Sequence, residues 1–428
     1  MLSLMSQNIQ LEKKQSFIFK GQFHSKDTKR LISNFFVLSV LQGVNYILPI
    51  ITLPYLIRVL GAKYFGLLSF ANATVIYLEI ISNFGFNLTA TREIAIYRND
   101  KKKVNEIFSA VMIIKVLLMI ACFILLSILV FSLEKLSNDW EIYFFTFGTV
   151  VGQVLFPVWF FQGMERMKYI TYLNILARSL FTFAIFIFVQ TQEDYYIVPI
   201  LSSLGFIVAG MCSLIIIKTK FDIRFEWQTI EIIRKYLKNA WNVFIIDFIP
   251  NIYNNFSTFF LGFFVSMEIL GYYSLATKII DIFNRFIYVI RNVTYPYLSN
   301  NFSNFAIISR ITLLVGFSFS VAIICLANNL FYLLFGNIIE NSLLLIYILA
   351  PGPFLLSVQV SYGNNKLLVL KKDREMKNIT LQFSIFGFLM ALSVIPVFGS
   401  IGAALTLLTT RSLMACLTYK TSKDIDRI

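Results

Sequence analysis

Long apolar stretches recur from residue 31 to residue 418, separated by short polar segments. The runs fall at roughly 31–57, 67–91, 107–131, 141–163, 170–189, 196–217, 240–264, 271–297, 307–328, 341–363, 379–396 and 401–418. Each approaches or exceeds the ~20 apolar residues that an α-helix needs to cross a ~30 Å hydrocarbon core. The pattern predicts an all-α polytopic membrane protein with about twelve transmembrane helices. The segments between the runs are too short to hold a soluble domain of ordinary size. Residues 1–30 are polar and basic and show no cleavage-site pattern, so the first run is expected to serve as an uncleaved anchor.

Charge sets the expected orientation. If the N-terminus is cytoplasmic, the loops and tails on that side hold 28 lysines and arginines, and the opposite side holds only Arg58, Lys63 and Lys135. An excess of bases marks the cytoplasmic face, so both termini are expected inside. The 428 residues are 57% apolar and 14% charged, with a formal charge of +14. A soluble domain carries about a quarter charged residues. Such basicity could suggest a nucleic-acid partner, but the bases cluster between apolar runs, as in the loops of a membrane protein, and none is expected. Cys122, Cys212, Cys325 and Cys416 each sit inside an apolar run, and the single histidine is His24 in the polar tail. No metal site and no cofactor is expected from that inventory. The chain lacks the GxxxxGK[ST] phosphate-binding pattern, which excludes direct ATP hydrolysis.

The chain also repeats after about 205 residues. Phe65-Gly66-Leu67-Leu68-Ser69-Phe70-Ala71 opens the second run, and Leu270-Gly271-Tyr272-Tyr273-Ser274-Leu275-Ala276 opens the eighth. The same shift carries runs 1–6 onto runs 7–12. The expected organisation is a cytoplasmic tail (1–30), a six-helix lobe (31–217), a central cytoplasmic loop (218–239), a second six-helix lobe (240–418) and a cytoplasmic tail (419–428). Two lobes in one orientation, related by an axis along the membrane normal, form a transporter architecture whose cargo binds between them.

Ionisable residues inside the runs bear on the cargo. A charge at a helix centre costs roughly 2.5–3.5 kcal/mol on insertion scales, so such residues normally face a wet cavity or a partner. In run 8, Ser274, Lys278, Asp281, Arg285 and Tyr288 share one helical face. Asp281 can pair with either neighbouring base, and the face stays net positive. Run 7 offers Asp247, Asn251, Asn254 and Thr258 around Pro250, and run 1 offers Gln42, Asn45, Pro49 and Thr52. The substrate-binding candidates are Gln42, Asn45, Arg58, Asp247, Asn251, Lys278, Asp281, Arg285 and Arg291. Glu79, Asp247 and Asp281 are the candidate sites for a coupling ion. For Lys115, Arg178 and Arg411 the expectation is snorkelling toward the interface. The alternative for the run 8 cluster is that its charges only pair with each other and hold helices together.

Several stretches carry a family resemblance: 42–49, 53–61 with Phe65-Gly66, 85–95, and Phe156-Pro157-Val158-Trp159-Phe160-Phe161-Gln162-Gly163-Met164-Glu165-Arg166-Met167, with Tyr295-Pro296-Tyr297-Leu298 and 399–404 further on. The whole chain resembles the Wzx-type O-antigen flippases, the polysaccharide-transporter branch of the superfamily that includes the multidrug and toxin exporters. The resemblance implies a non-enzymatic transporter of the bacterial inner membrane. It would move an undecaprenyl-pyrophosphate-linked oligosaccharide between leaflets by alternating access, among membrane lipids and alongside a polymerase and a chain-length regulator. The alternatives are an ion-coupled multidrug exporter, which would favour a cavity rich in acids, and a membrane-embedded polymerase or glycosyltransferase, which would need a longer outside loop.

Overall fold

The computed structural model describes residues 25–300 and 302–425, with side chains described from Leu48 onward except at 49, 246–247, 249–254, 300 and 330. Among the described residues every regular element is helical, as the apolar runs require. Helix α1 (Ser25–Asn83) carries the first two runs, and a single glycine divides it. Gly61 adopts φ 73°, ψ 173°, a conformation open to a residue without Cβ. After α2 (Phe86–Tyr97) comes α3 (Lys101–Ser132), whose first turn is capped by the Asp100 carboxylate accepting from the Lys103 N–H.

Helix α4 (Trp140–Leu155) stops before Pro157, which lacks the N–H a helix interior needs, and the chain resumes as α5 (Val158–Gly163). Helix α6 (Met167–Phe188) leads through a 3₁₀ turn at Gln192–Tyr196 to α7 (Ile197–Phe221). Then come α8 (Ile230–Phe264) and α9 (Met267–Asn300). The last part comprises α10 (Phe305–Leu326), α11 (Leu330–Phe335), α12 (Leu343–Leu349), α13 (Gly352–Val358) and α14 (Asp373–Ile425). Helix α14 holds the last two runs, divided at Gly399 (φ 55°, ψ −130°). The tenth run, read as one continuous span, is broken at Pro351 and widens into a π-helix over Gln359–Leu368.

Eight helical stretches among the described residues are long and apolar enough to cross a membrane. They are fewer than the twelve runs because helices joined through a bend, as at Gly61, form one stretch. Helix α9 is also missing from that set, since its charges dilute its apolar character. The outward faces are apolar: Leu117, Ile124, Ile128 and Phe131 on α3 and Phe183 and Ile187 on α6 are all exposed. Such a surface suits lipid and not water. The chain is an all-α polytopic membrane protein.

Small residues set the tightest packing. Gly148 and Gly152 of α4 form a G-x-x-x-G face against α7, where they meet Ser203 and Phe206, and Gly210 of α7 meets Leu155. Without side chains in the way the two backbones approach closely, and Ser213 donates to the Leu155 carbonyl at 3.1 Å. The motif stretches 85–95 and 156–168 pack on each other. Gly163 touches Ile94, the Thr91 hydroxyl donates to the Trp159 carbonyl at 3.2 Å, and Arg98 pairs with Glu165 at 2.7 Å. These motifs staple helix ends and line no part of the cavity described below.

Candidate functional site

The closest helix crossing lies between α1 and α9, where the repeat match becomes a contact. A Cβ placed on Gly66 would sit 1.8 Å from the Met267 carbonyl oxygen, and one on Gly271 would sit 1.9 Å from that of Ala62. Residues 62 and 66 become 267 and 271 under the 205-residue shift. The contact is therefore exchanged with itself, as in an isologous two-fold interface. The crossing stands one helical turn in from the chain bends at Gly61 and Val265–Ser266.

The next turns of both helices open onto a polar cavity. Its first chamber, about 290 Å³, is lined by Thr52, Ser69, Asn72, Thr149, Lys278, Asp281 and Arg285 among others. A second chamber of about 320 Å³ shares Ser69, Asn72, Lys278 and Asp281 and adds Asn255, Thr258 and Arg411. The two chambers are contiguous across Lys278 and Asp281. Of the face predicted for run 8, Ser274, Lys278, Asp281 and Arg285 form a cavity wall while Tyr288 lies outside the lining, and Thr258 brings the polar stripe of α8 to the opposite side. Lys278 stands at the centre of this lining, with its side chain exposed to the open space of both chambers. The Asp281 carboxylate attracts it and Arg285 repels it. Asp281 accepts from the buried Asn284 amide at 3.3 Å, which aims the carboxylate.

Two bases expected to snorkel belong to this region. Arg411 lines the second chamber. Arg178 of α6 is half-buried within electrostatic reach of Arg285, and its Nε is buried without a hydrogen-bond partner among the described residues. Snorkelling fails for Arg178 because it stands at the middle of run 170–189, too far from either interface for its side chain to reach. The lining therefore carries Lys278, Arg285 and Arg411 against Asp281, with Arg178 adjoining, and its field favours an anion.

Other candidates lie elsewhere. Arg58 is exposed beyond the crossing, and its guanidinium donates to the Leu333 carbonyl at the end of α11. Its helix presents Thr52, Leu53 and Leu56 to the cavity, and Arg58, two residues past Leu56, falls on another face. Arg291 sits over the Tyr288 ring at 5.1 Å and donates to Asn292, since the helix has turned its face out of the cavity by that point. Glu79 is hydrogen-bonded by Gln153 and lies near Lys115, which is 1% exposed. This second polar cluster is enclosed by α1, α3 and α4, and it overturns the snorkelling expected for Lys115. The side chains of Gln42, Asn45, Asp247 and Asn251 lie outside the described residues. Lys366, assigned to a loop by sequence, is buried and donates to the Ser422 carbonyl at 2.9 Å. There it opposes the negative end of α14.

Lys135 has a position comparable to that of Arg58. Its ammonium donates to the carbonyls of Val265 at 2.7 Å and Phe263 at 3.3 Å, where α8 ends. Together with the Gly66–Gly271 crossing, these two bases tie residues before 217 to residues after 240 on the cavity's far side from the basic loops.

Many helices enclosing a net-positive internal cavity, with an apolar belt outside, define the class: a multi-pass membrane protein built around a polar chamber. Residues 31–302 match the family described as "Polysaccharide biosynthesis protein", and the chain belongs to that family. A protein of Escherichia coli (strain K12) named "Putative O-antigen transporter" is 31% identical over 90% of this chain and 94% of its own length. The fold is shared with an inward-facing multidrug resistance MATE family transporter of the MOP superfamily (TM-score 0.69, 13% identity, 92% of this chain and 98% of that one). It is shared also with the lipid II flippase MurJ in an inward closed conformation (TM-score 0.67, 14% identity, 92% and 87%).

Proposed function

We propose that this protein moves an undecaprenyl-pyrophosphate-linked O-antigen or similar polysaccharide repeat unit from the cytoplasmic to the periplasmic leaflet of a bacterial inner membrane. The observation that carries the reading is the surplus of positive charge on the cavity wall, with Arg285 and Arg178 close together. A diphosphate is the group of this cargo that such a wall would bind, and Arg presents a planar fork suited to it. A cation exporter would favour the opposite sign. In this reading both termini face the cytoplasm, and the chain divides into lobes 31–217 and 240–418 that rock about the cavity. The crossing at Gly66 and Gly271 closes the periplasmic side. Asp281 and Asp247 are the coupling-ion candidates near the cavity, while the placement of Glu79 beside Lys115 suits a helix-pairing role.

The test is Arg285→Ala. Surface polysaccharide disappears while protein abundance stays near normal, and Arg285→Lys keeps part of the export. If Arg285→Ala instead lowers abundance, and Asp281→Ala/Arg285→Ala restores both abundance and export, the arginine only pairs helices and the cargo reading loses its support.

A further inference from the structure

A second hollow lies on the outer surface of the chain, away from the central cavity. Between α3 and α7 runs an open groove of about 960 Å³, walled by Met112, Val116, Leu117 and Ile120 on one side and Leu214 and Ile217 on the other. Its volume falls near the top of the ~300–1,000 Å³ range of small-molecule sites. Along α3 it extends from Phe108 to Ile120, which at 1.5 Å per residue is ~18 Å. Half of a ~30 Å hydrocarbon core is ~15 Å. The groove therefore has the depth of a single leaflet.

Its mouth, at the end of the bundle where the basic clusters gather, is built by the segment that follows α7. Asp222 turns the chain with φ 50°, and the next residues lie against α3. Asn105 Oδ1 accepts from the Arg224 N–H at 3.2 Å, and the buried Ser109 hydroxyl accepts from the Glu226 N–H at 2.9 Å. The charges at the mouth do not cancel. Lys101 pairs with Asp222 and holds its carboxyl below the usual range, with Arg224 adding to the pull, and Glu226 accepts from the neutral Asn105 amide at 3.2 Å and keeps its charge. Lys218 and Arg224 remain exposed on the lining. The same segment holds Phe225, Trp227 and Ile230 outward, Trp227 being 85% exposed. Phe225 and Trp227 meet edge to face at 5.6 Å. An indole so placed belongs in the headgroup region, where its apolar ring and N–H are both satisfied.

We infer that this groove binds an anionic glycerophospholipid of the adjoining leaflet, its acyl chain along α3 and α7 and its phosphate at Lys218 and Arg224. Basic groups near an anionic surface contribute ~1 kcal/mol each, roughly fivefold. With Lys101, Lys218 and Arg224 set against Asp222 and Glu226 the surplus is one base, a preference of about fivefold over a zwitterionic lipid. The inference stands independently of what the central cavity carries.

The experiment reconstitutes the full-length protein in vesicles containing chain-brominated phosphatidylglycerol or chain-brominated phosphatidylcholine over one matched series of mole fractions. The quenching that Trp227→Phe removes isolates the signal of the groove's mouth. Brominated phosphatidylglycerol is expected to quench that signal at roughly fivefold lower mole fraction. Lys218→Gln/Arg224→Gln is expected to erase the difference while leaving total fluorescence and abundance unchanged. Equal quenching by both lipids, or an undiminished preference in the double variant, overturns the inference. So does displacement of the brominated phosphatidylglycerol by undecaprenyl diphosphate, which would give the groove to the cargo's carrier lipid instead.

Discussion

A methyl group at Gly66 is the sharpest perturbation the structure offers. Its Cβ would lie 1.8 Å from the Met267 carbonyl oxygen, where ordinary contacts begin near 3.4 Å. Neither atom can give way, because one is main chain and the other is fixed to it, so α1 and α9 must part by more than 1 Å. Overpacking of this kind costs ~1–3 kcal/mol, which shifts a two-state equilibrium by roughly 5- to 150-fold. Since the crossing closes one side of the cavity, the shift goes toward the state open on that side. The assay places a cysteine at Asn72 in a background lacking Cys122, Cys212, Cys325 and Cys416, and adds a membrane-impermeant maleimide from outside the cell. Labelling accelerates at least fivefold in Gly66→Ala and in Gly271→Ala. The two together accelerate it by less than the product, because both act on one contact. Gly336→Ala, at a positive φ with nothing within 4 Å, strains the backbone and leaves labelling unchanged. Normal abundance with unaltered labelling in both crossing variants would refute the reasoning.

Reporter fusions at positions 100, 225 and 370 read cytoplasm, and fusions at 62, 136 and 193 read periplasm; one strong reversal breaks the span map. Lys115→Met removes the base near the buried Glu79 carboxylate, which keeps its hydrogen bond from Gln153, a loss of about 1–3 kcal/mol seen as reduced folded protein in detergent thermal melts. Glu79→Gln/Lys115→Met restores the melt, and failure to do so gives Glu79 a role other than pairing with Lys115.

Much of this architecture is legible in the sequence because lipid imposes a simple rule on it. Apolar length marks a helix, and the shared face of Lys278, Asp281 and Arg285 follows from their spacing alone. The places of Arg178 and Arg411 are less legible. An isolated base has no periodicity to betray its direction, although the central place of Arg178 in its run could have argued against snorkelling. Arg58 belongs to a motif stretch and faces away from the cavity, because Thr52, Leu53 and Leu56 take the cavity face of its helix and Arg58 meets the Leu333 carbonyl instead, a partner that no periodicity announces. The G-x-x-x-G spacing of Gly148 and Gly152 is written in the sequence and marks a close helix approach. The π-helix at Gln359–Leu368 and the burial of Lys366 depend on neighbours 56 to 71 residues away, such as Thr294, Phe305 and Ser422, in no periodic relation.

Arg58 and Lys135 clasp main-chain oxygens of Leu333, Phe263 and Val265, and this shapes how the far side can change over evolutionary time. A clasp between two side chains can be lost by substitution at either member. Here the receiving member is the peptide group, which every residue supplies. The positions 263, 265 and 333 are thus free to drift among apolar residues without loosening the hold, and the whole burden of constraint falls on the two bases. Variation among homologues on that surface should accordingly be lopsided: wide on the accepting helix ends, narrow at Arg58 and Lys135.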